Sequence, residues 1–387
     1  MKKNGGLYMV KHFRTVFLSM GFLAGFSAVS AATQVISNNG LNLTYDDSAC
    51  GGAGNASFCQ TAMQTAFNKV SDKFQLGNLP NFLKFMSSAQ SISTRGQGVD
   101  YTTNPSIFVV GASMGAGIDI GDLTFSEAKN TLSKSGGLSA AGYATQFSIM
   151  AGINLGFLKF SAPILGVIDL NRLTVYGHAA SYDFSSLLKQ DGLTVKSSQF
   201  GFHTKYKLLE PRSIGFGSLN WGGLDFITGL TVSSNTLGYQ KTFDAVTSGD
   251  GSLSNPLVRV VPGGSINVKN NAVTIPFEVA TSVRLLYFLS LFGGAGIDFN
   301  FGKSSLDMAL SSSSLTATVS GTTVNAGNMT ASAAESSAGR FADLRFFSGL
   351  ALNIVPLKNT NVVSIVVQGN ISTGGGYGAI VGVRAGW

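Results

Sequence analysis

The feature that most constrains the fold is an alternation of apolar and polar side chains with a period of two residues. It is clearest in the segments 200–207, 277–285 and 294–302. Successive side chains of a β-strand point to opposite faces, so each segment has one apolar face and one face of polar residues or glycine. The pattern therefore predicts an all-β fold.

The composition indicates where the apolar faces go. The chain is 44% hydrophobic and 12% charged, whereas soluble domains carry about 25% charged residues. After the first 30 residues, no stretch approaches the roughly 18 apolar residues that a spanning helix needs; the longest, Leu285–Ile297, contains the small residues 293–296 and ends at Asp298. Alternating segments of about ten residues match tilted membrane strands, so we predict a transmembrane antiparallel β-barrel.

Several further segments show the same alternation. They are 145–155, 172–184, 224–236, 341–354, 362–371 and 377–387, with weaker ones at 107–123 and 267–275. Bacterial barrels have an even number of strands, and we expect about 12–14 here. The residues 286–291 must turn tightly, whereas 303–340, 122–141 and 241–264 are expected to be long exposed loops, the first with a hairpin around Gly321.

The faces opposite the apolar ones are expected to line the interior of the barrel. Their polar candidates are His203, Lys205, Lys207, Glu278, Arg284, Asp298 and Asn300. Inward acids usually pair with inward Arg or Lys. The motif Gly115-Ala-Gly-Ile-Asp119 recurs at residues 294–298, and stacked inward glycines leave room for a helix or loop inside.

Residues 1–31 have the layout of a secretory signal peptide. Basic residues precede an apolar run from Thr15 to Ala28, and Val29-Ser-Ala31 forms a small-residue cleavage site. Cleavage leaves 22 basic and 19 acidic residues, a net charge of +3. The high isoelectric point thus owes much to the signal, which removes the main argument for nucleic acid as a partner.

The segment 32–95 differs from the rest of the mature chain. Met63, Ala66, Phe67, Val70 and Phe74 recur at helical spacing, and 81–90 is compatible with a second, shorter helix. We expect a helical cap packed on or inside a barrel formed by residues 96–387; a plug or gate is the functional alternative. Cys50 and Cys59 are expected to form a disulfide, since exported bacterial proteins usually oxidise paired cysteines.

The last eleven residues alternate up to the terminal aromatic residue, with Tyr377 and Trp387 on the same face. This ending resembles the terminal assembly signal of bacterial outer-membrane barrels, in which the last residue is usually Phe. The resemblance implies delivery by the barrel-assembly machinery and an outer-membrane location, with lipid around the barrel.

A second resemblance concerns one hairpin. Ile275–Ser304 resembles a hairpin of the leptospiral, spirochaete-type family of outer-membrane surface-adhesin barrels, and the Cys50/Cys59 pair with its helical segment is similar to that family's N-terminal part. The resemblance implies exposure on the cell surface and binding to host extracellular-matrix proteins. No motif of that family assigns the binding residues.

Enzyme chemistry finds little support in the sequence. Gly111-Ala-Ser113-Met-Gly115 fits the pattern of a hydrolase nucleophile elbow, but that motif needs a helix after the serine, and the following residues alternate as a strand. The mature chain has two histidines, His178 and His203, and the latter shares a face with lysines. We expect neither an enzyme nor a bound cofactor or metal.

The function predicted first is that of an interaction protein whose long loops bind a macromolecule at the cell surface. The alternative is a transport protein, either a general pore or a channel for hydrophobic substrates gated by the N-terminal helices. An outer-membrane hydrolase is the third and weakest hypothesis.

Overall fold

The computed structural model describes residues 42–45, 79–102, 105, 107–121, 141–160, 168–185, 192–214, 219–242, 244–252, 257–325, 327–354 and 363–387. The predicted signal peptide, the predicted Cys50–Cys59 disulfide and the helix predicted around 63–74 lie outside these residues.

The regular structure of the described residues includes an α-helix, two short 3₁₀ helices (Leu155–Leu158 and Leu170–Arg172) and fifteen strands. The helix α1 spans Leu79–Ser93 and includes the predicted 81–90. The strands are β1 (Asn42–Tyr45), β2 (Phe108–Asp119), β3 (Gly142–Asn154), β4 (Leu173–Asp183), β5 (Leu193–Leu209), β6 (Arg212–Ile214), β7 (Leu219–Thr242), β8 (Val246–Ser248), β9 (Leu257–Leu285), β10 (Leu289–Val319), β11 (Thr322–Asn325), β12 (Gly327–Ala338), β13 (Ala342–Asn353), β14 (Val363–Ser372) and β15 (Gly376–Gly386). Within the described part of the chain, no helix has the length and apolar content needed to cross a bilayer.

Ten of these strands form a closed antiparallel ring, which confirms the predicted β-barrel. The order is β2-β3-β4-β5-β7-β9-β10-β13-β14-β15, and β15 pairs with β2 to close it. The ring has fewer strands than the 12–14 expected from the sequence. One reason is that the segments 267–275 and 277–285, which we counted separately, form the single strand β9.

The start of β2 and the C-terminal residue, Trp387, define one end of the barrel, which we call proximal. The backbone N–H groups of Ile107 and Phe108 donate to the carbonyl of Trp387 at 2.8 and 3.0 Å, and the Trp387 N–H donates to Phe108. The rings of Phe108 and Trp387 lie 3.8 Å apart between centroids. The opposite end is the distal end. Within the predicted turn 286–291, residues Leu286–Phe288 form the turn; it is proximal and joins β9 to β10.

An apolar belt surrounds the ring. On β9 the outward side chains are mainly apolar from Val273 to Val283, and these two residues pair with Phe301 and Leu291 at the ends of the apolar face of β10. Ten residues of tilted strand span about 25 Å across the bilayer, the usual height of the apolar band of a membrane barrel. Exposed belt residues on other strands are Met114, Ile149, Phe200, Phe202, Leu344, Phe346, Val367 and Val381.

Beyond the belt at the distal end, the two faces of the sheet exchange polarity. On β10 the outward side chains change from Phe301 to Lys303, and the inward ones from Asn300 to the buried Leu306 and Met308. The change falls at one level on neighbouring strands, because Phe301 pairs with Val273 and Lys303 pairs with Asn271. The sheet therefore leaves the hydrocarbon at this level.

This distal extension corrects the prediction of a long irregular loop at 303–340. We call it the distal ribbon; it comprises Ser234–Thr242 of β7, Leu257–Asn271 of β9, Lys303–Val319 of β10, and β11 and β12. The predicted hairpin is present, with Ser320 and Gly321 in the left-handed conformation. The stretch 241–264 likewise contains β8 and the start of β9. Small and hydroxylated residues hid the strand pattern, since Ser, Ala and Gly also dominate loops.

Candidate functional site: the occluded lumen

Residues 79–102, which we call the luminal segment, run through the interior of the barrel. From Met86 to Thr102 every side chain is buried. The helix α1 fits because strand residues facing it are glycines. A Cβ on Gly117 would lie 2.8 Å from the Ser93 nitrogen and closer still to the Ala89 carbonyl, and one on Gly115 would overlap the Ser93 carbonyl. The inward glycines thus hold a helix, as the sequence pattern indicates.

A buried ionic cluster joins the luminal segment to the wall. Arg95 Nε lies 3.0 Å from Asp298 Oδ2, and Arg345 Nε donates to the same oxygen at 3.0 Å. Arg345 also contacts Glu278, whose other oxygen accepts from the Tyr101 hydroxyl at 2.7 Å. Two guanidinium groups thus face two carboxylates, which compensates the charges that burial would otherwise penalise.

A second ionic contact lies on the other side of the luminal segment. Arg384 Nη1 donates to Asp100 Oδ1 at 3.0 Å, and its Nη2 donates to the Gly96 carbonyl at 3.1 Å. Lys205 Nζ donates to the Asp100 carbonyl at 2.9 Å. The segment is therefore bound to β15 and β5 as well as to β9 and β10.

Amide side chains add a third set of contacts. Gln97 Nε2 donates to the carbonyls of Ser93 and Gln146 at 2.7 and 3.2 Å, and its Oε1 accepts from Gln199 at 2.6 Å. Asn235 donates to Gln90 of α1. Buried amides need such partners, so these contacts favour one position of the segment.

Aromatic packing fills the proximal half of the lumen. The Tyr101 ring stacks on Phe292 with 5.5 Å between centroids and lies 4.8 Å from Phe347. Val99 and Tyr176 belong to the same buried cluster. Close apolar packing excludes water, so the lumen is occluded at this level.

The structure places all seven predicted interior residues on inward faces. Glu278, Asp298 and Asn300 lie together around Arg95, and Asn300 accepts from Arg95 Nη2 at 3.3 Å. Lys207 forms an ion pair of 3.2 Å with Asp225, and Arg284 is half-buried near the proximal end. The His178 and His203 rings stack with 5.1 Å between centroids, and His178 lies beside Gly98 of the luminal segment.

Sequence reasoning missed the basic partners of this network. Arg345 and Arg384 occupy inward positions of β13 and β15, where the alternation itself could have indicated them. Asp119, the counterpart of Asp298 in the repeated motif, pairs with Arg340 at 2.9 Å. The serine of the apparent hydrolase motif, Ser113, lies within β2, so no helix follows it.

Together, the closed sheet, the apolar belt and the charged, filled interior define an outer-membrane β-barrel protein with an occluded lumen. A family model described as Lsa36-like matches residues 30–387. The chain therefore belongs to the Lsa36-like family, which confirms the family resemblance found in the sequence. A search of curated proteins finds no match.

Solved structures with a similar architecture are bacterial barrels. The toluene transporter TbuX of Ralstonia pickettii has 8% identity and a TM-score of 0.24, with 76% of this chain and 98% of that chain covered. The translocator domain of the autotransporter NalP of Neisseria meningitidis has 8% identity and a TM-score of 0.25 over 86% of this chain and 100% of its own. A FadL homologue of Pseudomonas aeruginosa has 10% identity and a TM-score of 0.20 over 78% and 97%.

Proposed function

We propose that this protein is exposed on the bacterial surface and binds a macromolecular ligand, expected to be a host extracellular-matrix protein, through its distal ribbon and distal loops. The observation that carries the proposal is the distal ribbon itself. Strands that continue beyond the belt with a polar outward face offer a large, rigid surface outside the bilayer. The family resemblance points to the same kind of ligand.

Two exposed lysines on this ribbon could contribute to ligand binding. Lys269 and Lys303 are exposed on neighbouring strands, and Lys303 lies directly above the last apolar row. Among the described residues, neither lysine forms an ion pair. Such unpaired cations attract an acidic macromolecular surface and accelerate association.

The alternative, a pore or hydrophobic-substrate channel, finds less support in the lumen. A general pore would need a continuous water-filled path and a channel for hydrophobic substrates a continuous apolar one, whereas the luminal segment fills the interior and is held there by ionic, amide and aromatic contacts. Wild-type protein in planar bilayers is therefore expected to give no defined single-channel steps. Well-defined steps would favour transport over adhesion.

Binding to immobilised matrix proteins tests the adhesin proposal. We expect the Lys269→Glu/Lys303→Glu variant to bind at least about tenfold more weakly, a loss of about 1.4 kcal/mol. The matched control reverses two exposed charges at the proximal end, Lys159→Glu/Arg212→Glu, and should bind like the wild type. Failure of the wild type to bind any matrix protein would refute the proposed ligand class.

A shortened ribbon gives a second test. Leu306 pairs with Glu335, so a two-residue Asn-Gly turn can join these residues and remove 307–334. This variant should keep its heat-modifiable barrel and lose ligand binding. Full binding by the shortened protein would show that the binding surface lies outside residues 307–334.

A further inference from the structure

The luminal segment enters the barrel from the distal end. Pro80 and Asn81, at the start of α1, are exposed, whereas the side chains from Met86 onward are buried. The backbone of Phe85 lies against Gly142, the first residue of β3, and the Phe85 ring against Gly121, just past the end of β2. Both glycines are at distal strand ends, so α1 begins at the distal mouth.

From there the chain descends to the proximal end. Arg95 lies beside Asp298, and Tyr101 packs further down against Phe292. Phe108 then begins β2 next to Trp387. The polypeptide therefore crosses the whole barrel before it forms the first strand of the ring.

A second, independent contact places an earlier part of the chain on the same side. Strand β1, Asn42–Tyr45, pairs antiparallel with Gly327–Thr330 of β12. This stretch of β12 belongs to the distal ribbon, beyond the level where the sheet changes polarity. Two described stretches that precede the barrel thus both lie at the distal end.

The lengths of the connections orient the barrel. The distal connections are longer on average. β10 and β13 are joined distally through the whole ribbon and β2 and β3 through residues 120–141, whereas the proximal connections range from three residues between β9 and β10 to residues 155–172 between β3 and β4; β14 and β15 are joined distally by three residues. Membrane barrels of this class have short periplasmic turns and longer extracellular connections, so the distal end faces outward.

We propose that the barrel carries its own N-terminal part through its lumen and displays it on the cell surface. A chain exported into the periplasm reaches this arrangement only if the part before residue 79 passes outward while the sheet closes at the β2–β15 seam. Once the seam is formed, the luminal segment remains as a seal. Display of the N-terminal part adds it to the outer surface that carries the distal ribbon, and the inference rests on the outward orientation of that ribbon.

Cysteine labelling on intact cells tests the topology in the full-length protein. In a Cys50→Ser/Cys59→Ser background, single cysteines are introduced as Thr44→Cys in β1, Ser336→Cys in the distal ribbon and Ser213→Cys in the proximal β6. A membrane-impermeant maleimide should label Thr44→Cys and Ser336→Cys on intact cells. Ser213→Cys should require permeabilisation of the outer membrane.

The outcomes separate this inference from the proposed function. Labelling of Ser336→Cys without labelling of Thr44→Cys would overturn the display of the N-terminal part and leave an exposed ribbon. Labelling of Ser213→Cys alone on intact cells would overturn both. To cover a folding defect in the cysteine variants, an epitope inserted before Asn42 of the otherwise native chain should bind antibody on intact cells; detection only after permeabilisation would refute the display.

Discussion

Arg95 Nε and Asp298 Oδ2 lie 3.0 Å apart, with side chains 2% and 5% exposed, and join the luminal segment to strand β10 across 203 positions of sequence. Because Asp298 also faces Arg345, it compensates two buried guanidinium groups. Removing one member of such a buried cluster leaves charge without compensation, which is far costlier than losing a surface pair.

We therefore expect Asp298→Ala to destabilise the folded barrel by about 3–5 kcal/mol. The measurement is urea unfolding in lipid vesicles, followed by the heat-modifiable mobility of the folded form. Asp307→Ala is the matched control, since Asp307 lies on the same strand but is exposed on the distal ribbon, and it should change stability by less than about 0.5 kcal/mol. Equal effects of the two substitutions would contradict the ionic cluster.

The close approach of α1 to the backbone of Gly117 can be tested by adding a methyl group at that position. Gly117→Ala places a methyl group against Ala89 and Ser93, so we expect α1 to shift outward and trypsin to cleave faster after the exposed Lys84. Gly177→Ala, whose added Cβ meets nothing within 4 Å, is the control and should resist trypsin like the wild type. Unchanged cleavage of the Gly117 variant would mean that the helix does not depend on this contact.

The polarity change along β10 predicts where charge is tolerated. Ile297 is 45% exposed in the middle of the belt, so Ile297→Arg should lower stability in vesicles by about 2–4 kcal/mol. Ser305→Arg, on the same outward face but beyond the belt, should stay within about 0.5 kcal/mol of the wild type. A comparable loss at both positions would disprove the proposed membrane boundary.

Trp387 closes the ring, so its removal should impair assembly. Deletion removes three backbone hydrogen bonds with Ile107 and Phe108, each contributing about 0.5–1.5 kcal/mol, and the contact between the Trp387 and Phe108 rings. We expect a several-fold lower folded fraction in the outer membrane, measured by heat-modifiable mobility. Trp387→Phe keeps the backbone and an aromatic ring and should fold normally; normal folding of the deletion variant would count against an assembly role.

The alternation in the sequence was sufficient to predict the barrel and the inward faces. Each strand face follows from local periodicity, and glycines at 115 and 117 already indicated space for an interior helix. The pairing of Arg95 with Asp298 could not be predicted, because it depends on the register of the closed ring and on the depth of the luminal segment. Neither quantity is recorded in any local pattern.

In the distal ribbon, local composition failed to predict the strands themselves. Between residues 303 and 340 the outward side chains are polar and many inward ones are small, so the local composition resembles a loop. Leu306 and Met308 do alternate, but on the face opposite to that expected from the belt. Only the pairing of β10 with β9 shows that these residues continue the same strand.

Strand β10 passes through two environments: its apolar side chains face outward on the proximal side of Phe301 and inward on the distal side of Lys303. Displacing the molecule along the bilayer normal would immerse lysine in hydrocarbon or bring phenylalanine into water, so its vertical position is fixed by the covalent order of the residues. Any surface carried by the distal part of this strand is thereby held at a constant height from the bilayer.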